Sequence, residues 1–228
     1  MIFVTGDTHG RAHFDKLLKF SKEHPELTKQ DYVIIAGDFG GVWSEKNLED
    51  DLQIYSDLPF TVLFVDGNHE NFDLLNAYPV EEWNGGKVHR VKADIIHLMR
   101  GQIYTIDGKT FLTFGGALSI DREGRVEGET WWKEEMPTYE ELDEAVRNLR
   151  NYQNQVDYII THSCSERALQ YPDLKMSIGQ KCFSPEVQML SYLEDIVTFK
   201  HWWFGHFHID AELGSKYTAI LHRIVKIV

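Results

Sequence analysis

The sequence predicts an α/β (α+β) fold in which two mixed β-sheets pack face to face with helices outside, a four-layer αββα sandwich. Three observations lead there. Short apolar runs alternate with longer helix-like stretches through the first half, a pattern that demands parallel strands joined by crossover helices. Residues 88–116 instead read as consecutive strands with a tight turn at Asp107-Gly108, hence a second, more antiparallel sheet. Finally, 228 residues with no linker, repeat or low-complexity tract suit one domain over 1–228 and are short for two.

Taken in order, the runs 2–5, 32–36, 61–65, 103–106, 110–114, 158–161, 202–204 and the closing 220–228 are expected as strands. Helices are expected over 14–23, 47–57, 70–77, 138–152 and 185–197. Thr138 with Glu141 forms a capping-box pattern, and Leu142, Ala145, Val146 and Leu149 give that helix its apolar stripe. Residues 119–137 fit no periodic template and carry the pair Trp131-Trp132, so they read as a long loop of the kind that covers sites. Residues 171–184 read as a second loop that could line a pocket.

Composition narrows the function classes. Apolar residues at 43% and charged residues at 26% describe an ordinary water-facing globular chain, with no apolar stretch long enough to span a bilayer. The N-terminus enters a strand at once, with no signal-peptide pattern, and the expected location is cytoplasmic. Cys164 and Cys182 form no CxxC pair and suit a reducing compartment; both read as small buried thiols. The formal charge of −13 argues against a surface that follows long nucleic acid, but leaves nucleotides and other small phosphate esters open, because bound cations reverse the sign locally. Oligomeric state is not legible.

Function is read from five short clusters: Asp7-Thr8-His9, Gly37-Asp38, Gly67-Asn68-His69-Glu70, Thr161-His162 and Gly205-His206-Phe207-His208. Each follows an apolar run, so the clusters fall at strand ends, where open α/β sheets place ligands. Asp7 and His9, like His206 and His208, stand at i and i+2, which on an extended backbone puts both side chains on one side. Gly6, Gly37, Gly67 and Gly205 each precede a candidate ligand and allow a sharp exit from the strand. Alone, each cluster has a plain alternative as a turn, a helix cap or a core histidine. Together they supply the carboxylate, imidazole and amide donors of a two-metal hydrolytic centre.

The ordered series D-x-H, G-D, G-N-H-D/E, H and G-H-x-H resembles the calcineurin-like metallophosphoesterase superfamily, spans residues 7–208 and is complete. The resemblance implies that Asp7, His9, Asp38 and His208 hold one divalent ion. It implies that Asp38, Asn68, His162 and His206 hold the other, with Asp38 bridging, and that His69 is a non-ligand imidazole near the scissile phosphate. It also implies the superfamily's two-sheet sandwich. Paired cations polarise phosphoryl oxygens and activate a hydroxide for in-line attack on phosphorus, and the mixed donor set suits Mn, Fe, Zn, Co or Ni. Protein phosphatases of the superfamily extend the second motif to G-D-x-V-D-R-G; here Gly37-Asp38-Phe39-Gly40-Gly41-Val42 lacks the arginine, and the chain is more similar to small bacterial or phage-type phosphoesterases. A fainter likeness to RNA lariat-debranching enzymes runs from Gly67 to Gly116.

Specificity is expected in the irregular loop. Arg122 and Arg125 could clamp a substrate phosphate, or pair with Glu123, Glu127 or Glu129. Trp131 and Trp132 could stack on a base, or divide between core and surface. Glu70 could orient a ligand or simply favour a helix start, and His13 lies near the first cluster. The expected activity is therefore a dinuclear hydrolase of a small or nucleotide-like phosphate ester. The alternatives are a nuclease or RNA-processing phosphodiesterase, and a non-catalytic scaffold of the same fold.

Overall fold

The computed structural model describes residues 1–178 and 184–228. Its first sheet has seven strands in the order β13-β1-β2-β3-β6-β5-β4. These are β1 (Ile2–Thr5), β2 (Tyr32–Ala36), β3 (Thr61–Val65), β4 (Val80–Trp83), β5 (Gly86–Lys92), β6 (Ile95–Leu98) and β13 (Ile224–Lys226). The second has six in the order β11-β12-β10-β9-β8-β7, comprising β7 (Gln102–Ile106), β8 (Lys109–Phe114), β9 (Tyr158–Thr161), β10 (His201–Phe204), β11 (Ala211–Leu213) and β12 (Tyr217–Ala219).

Both sheets are mixed, as expected. Parallel ladders run through β1-β2-β3-β6 and through β8-β9-β10-β12, and the strands added at the edges are antiparallel. The strands of the parallel ladders are nearly continuous buried runs, because each is covered on both faces. Three apolar clusters mark three interfaces between four layers. One lies between the sheets, built from Ile34, Leu63, Tyr104, Phe111 and Ile160. A second packs α1 (Asp15–Glu23), α2 (Leu48–Ser56) and α3 (Phe72–Leu75) on the first sheet, and a third packs α4 (Tyr139–Asn151), α5 (Glu166–Leu169), α6 (Pro172–Ile178) and α7 (Pro185–Ile196) on the second.

The sequence reading needs several adjustments. Residues 88–116 do not form one sheet: β5 and β6 join the first and β7 and β8 the second, because strand partners are chosen by the interior surface they cover rather than by chain proximity. The Asp107-Gly108 turn is present, with both residues in the left-handed region that a two-residue hairpin requires. The closing run splits, so that only Ile224–Lys226 is strand, while β11 and β12 precede it. The helix expected over 70–77 shrinks to four residues. Residues 172–178 are helical rather than loop, and Cys182 lies outside the described residues. Cys164 is buried, as a small core thiol should be. The Thr138–Glu141 capping box forms in full. Among the described residues no helix is long and apolar enough to cross a membrane.

Candidate metal centre

The central parallel strands of both sheets end at a common edge, and the five clusters leave from there: Asp7 beyond β1, Asp38 beyond β2, Asn68 and His69 beyond β3, His162 beyond β9, and His206 and His208 beyond β10. The i, i+2 geometry expected on an extended backbone is not what aims the side chains. His9, Asp38, His206 and His208 all have positive φ, 47°, 49°, 66° and 52°. Non-glycine residues pay about 1–3 kcal/mol for such conformations and hold them only where surrounding contacts over-determine them.

Those contacts are visible. The N–H groups of Thr8 and His9 donate to the Asp38 carbonyl at 3.1 and 2.8 Å, and Gly10 N–H donates to the Phe39 carbonyl at 2.8 Å. Buried Glu70 accepts from the N–H groups of Phe39 (2.7 Å) and Gly40 (3.1 Å), so its carboxylate clasps the turn that displays Asp38. Lys16 donates to three backbone carbonyls, those of Gly6, Asp7 and Leu221, at 2.5–2.9 Å. Burial lowers its pKa to about 8. Two of the glycines also let the loops approach closely. A Cβ on Gly37, whose φ is +92°, would lie 2.0 Å from His162 Nδ1, and one on Gly67 would lie 2.0 Å from Asp38 Oδ1.

One set of donors is tight. Ligand atoms of Asp7, His9, Asp38 and His208 all lie within 4.8 Å of one another. His208 Nε2 stands 3.2 Å from Asp7 Oδ2, and His9 Nε2 stands 3.8 Å from Asp7 Oδ2 and 3.7 Å from Asp38 Oδ2. The second set adjoins it through Asp38. His162 Nε2 is 3.3 Å from Asp38 Oδ1 and 3.1 Å from Asn68 Oδ1, and the His206 ring lies edge-on to His162 at 5.0 Å. His162 is oriented by its other nitrogen, which donates to the Ala36 carbonyl at 2.9 Å.

Electrostatics mark a place built for positive charge. Burial opposes ionisation of Asp7 and Asp38, but His208 and His162 outweigh it at Asp7 and His162 at Asp38, and both carboxyls sit below their ordinary range. Burial likewise opposes a charged His162, yet Asp38 and Asp7 raise it to about 10. Burial and the neighbouring His162 push His206 down to about 4. Asp7 Oδ2 is buried without a hydrogen bond of good geometry, a costly state unless a cation takes the lone pair. Ionised carboxylates, an amide oxygen and imidazoles that give up a proton as the metal binds are the donors a divalent transition cation selects. The residues present therefore fit such a group.

The specificity residues fare differently. Arg122 is engaged by buried Glu135 and lies over the Trp131 ring at 4.6 Å, so its charge is spent inside the loop. Arg125 reaches the site: its NH1 lies 3.3 Å from His69 Nδ1, while Asp121 holds its other amino group. Trp132 is buried, its Nε1 donating to Asp73 at 2.8 Å, and offers no stacking face. His13 packs edge-on between His9 and His222.

Several contributors escaped the sequence reading. Asp66 is buried, accepts from Arg100 at 2.5 and 2.8 Å and faces His97 at 3.1 Å, and His97 in turn faces His89 at 3.1 Å. Ser119 donates to Glu135 at 2.7 Å and accepts from Asn68 at 3.0 Å, fixing the Asn68 amide so that its oxygen points to His162. A carboxylate one residue before Gly67 is the only local hint of this support, since its partners lie 31 to 34 positions away.

A two-sheet sandwich with carboxylates, imidazoles and an amide converging at its strand ends defines a class, the metal-dependent hydrolases. More particularly, a family model described as calcineurin-like phosphoesterase matches residues 1–210, and the chain belongs to that family, whose members hydrolyse phosphoric esters. The lariat debranching enzyme of Schizosaccharomyces pombe (strain 972 / ATCC 24843) is 25% identical over 223 residues, covering 86% of this chain and 45% of the relative. A solved structure from Staphylococcus aureus, named as a 5′-nucleotidase, shares the fold with a TM-score of 0.50 and 14% identity, covering 96% of this chain and 48% of that one. The chain spans about half the length of these two relatives.

Proposed function

We propose that the chain is a dinuclear hydrolase of small or nucleotide-like phosphate esters. The observation that carries this reading is the convergence of Asp7, His9, Asp38 and His208 within 4.8 Å, with His69 alongside. In this reading Asp7, His9, Asp38 and His208 hold one cation, and Asp38, Asn68, His162 and His206 the other. Two such cations, Mn, Fe, Zn, Ni or Co, would neutralise phosphoryl charge and activate the attacking water.

The chain's own residues do the rest. Asp38, whose Oδ1 also accepts the His69 N–H at 2.8 Å, ties the two sets of ligands to the loop that carries His69. Arginine has no acceptor, so Arg125 must donate to His69 Nδ1, which leaves the proton on Nε2. That tautomer presents an N–H donor for the departing oxygen. Asn68, fixed by Ser119, cannot flip its amide without losing a hydrogen bond at each end.

Asp38→Asn tests the reading. Hydrolysis of p-nitrophenyl phosphate and bis(p-nitrophenyl) phosphate, with Mn, Ni, Zn or Mg supplied, should fall by on the order of a thousandfold or more, the several kcal/mol a metal centre supplies. Normal turnover by the purified variant would overturn it. A second reading, a phosphodiesterase acting on RNA, is supported by the debranching-enzyme relative and opposed by the net charge of −13. Cleavage of short oligoribonucleotides faster than of aryl esters would favour it.

A further inference from the structure

A cavity of about 420 Å³ opens beside His9 and His69 and extends away from the metal ligands between the loop after β1 and the start of α2. Its far wall is made by Arg11, Trp43, Asn47 and Asp51. The floor is bare backbone: Gly10 and Gly40 approach so closely that a Cβ on either would lie 2.5–2.8 Å from the other loop's backbone. A group leaving a phosphate held by the metal ligands, on the side of His69, has this cavity to enter. Its volume is in the range of small-molecule sites and exceeds what a methyl or glyceryl group fills.

The wall has specific chemistry. Trp43 is a fixed platform: its carbonyl accepts from Asn71 Nδ2 at 2.9 Å, and its ring meets buried Trp132 edge-on at 5.6 Å. Asn47 holds the N-cap position of α2, yet its side chain makes no capping bond, which leaves an amide at the cavity wall. Asp51 is bound by Arg11 Nε at 2.6 Å, so the pair offers donors and acceptors without net charge. Among the described residues of the lining, the one cation besides the histidines, Arg11, is already paired with Asp51, so no free positive charge awaits a trailing polyphosphate. An aromatic face flanked by mixed hydrogen-bonding groups, without surplus positive charge, suits an uncharged heteroaromatic ring.

We propose that this cavity is a nucleoside subsite, with Trp43 stacking on the base of the leaving group and Asn47 and the Arg11–Asp51 pair meeting its edge. The inference rests on the hydrolase reading above and names its substrate class as esters carrying a single nucleoside next to the scissile phosphate.

The test is competition during hydrolysis of whichever aryl phosphate ester the wild-type enzyme turns over. Adenosine should inhibit competitively while ribose at the same concentration does not. In Trp43→Ala the adenosine inhibition constant should rise about tenfold or more, within the range that base–aromatic stacking supplies, whereas Trp43→Phe should restore most of the wild-type value. Should Trp43→Ala fail to fold, the adenosine-against-ribose comparison on wild type still decides. Turnover that adenosine does not inhibit, or inhibition unchanged in Trp43→Ala, overturns the subsite and leaves the hydrolase reading intact. Absence of turnover of either aryl ester with every metal overturns the hydrolase reading and the subsite with it.

Discussion

The strand-end rim and the loop over 119–137 both face the candidate centre, but they are built by opposite means. At the rim, position is set by backbone: four left-handed residues, carbonyl-to-amide ties between neighbouring loops, and the side chains of buried Glu70 and half-buried Lys16. In the loop, position is set by side-chain pairs, Arg122 with Glu135 and Arg125 with Asp121, and the segment exposes Ile120 and Val126. Backbone geometry can fix candidate ligands to the precision that metal chemistry needs, while side-chain pairs leave a covering loop free to differ between substrates.

If that contrast holds, damage should grade from rim to loop. The steepest loss belongs to Asp38→Asn, described above. His69→Ala comes next: aryl ester turnover should drop about 10²–10⁴-fold with metal content unchanged, as steady-state rates beside elemental analysis would show. A drop in bound metal of the same proportion would make His69 a ligand and redraw the rim.

Behind the rim, burial and the neighbouring His97 lower the pKa of His89 to about 4 from an ordinary 6.5. Between those values the unfolded chain binds the proton and the folded chain does not. The contribution of His89 is therefore complete above about pH 6.5 and declines as pH falls toward 4, by up to roughly 2–3 kcal/mol. Urea unfolding at pH 7 and pH 4.5 reads the loss, and His89→Gln should make the curve flatter. An identical decline in the variant would place the acid sensitivity elsewhere.

Glu70→Gln replaces one of two acceptor oxygens by a donor facing a backbone N–H. The expected cost is about 1–3 kcal/mol of stability, with weaker metal retention because Asp38 rides on the same turn. Stability lost without any change in metal retention would separate Glu70 from the rim. The mildest effect is expected in the loop. Arg125→Ala should lower turnover roughly tenfold, the scale of one hydrogen bond to an imidazole, and Arg122→Ala should chiefly loosen the loop. Equal hundredfold losses from both would erase the distinction between rim and loop.

The same contrast explains what could be read in the chain. Each ligand cluster follows its own apolar run within a few residues, so a local window shows both the strand and its exit. Sheet membership of residues 80–98 was hidden, because β6 pairs with β3 across 33 residues and nothing in the run itself names that partner. The left-handed turns at His9 and His208 were hidden as well: positive φ is uncommon for any residue but glycine, and no local pattern announces it. Arg122 and Arg125 look alike in the sequence, and only Glu135, buried 13 positions onward, shows which of them is occupied. Trp43, a member of none of the five clusters, gave no signal until the cavity placed it.

Anomalous diffraction from crystals grown with Mn tests the central claim most directly. Two peaks are expected beside Asp38, one among Asp7, His9 and His208 and the other among Asn68, His162 and His206, both lost in Asp38→Asn. A fully loaded, active crystal with no peak at Asp38, or with its metal held elsewhere on the chain, would contradict the account.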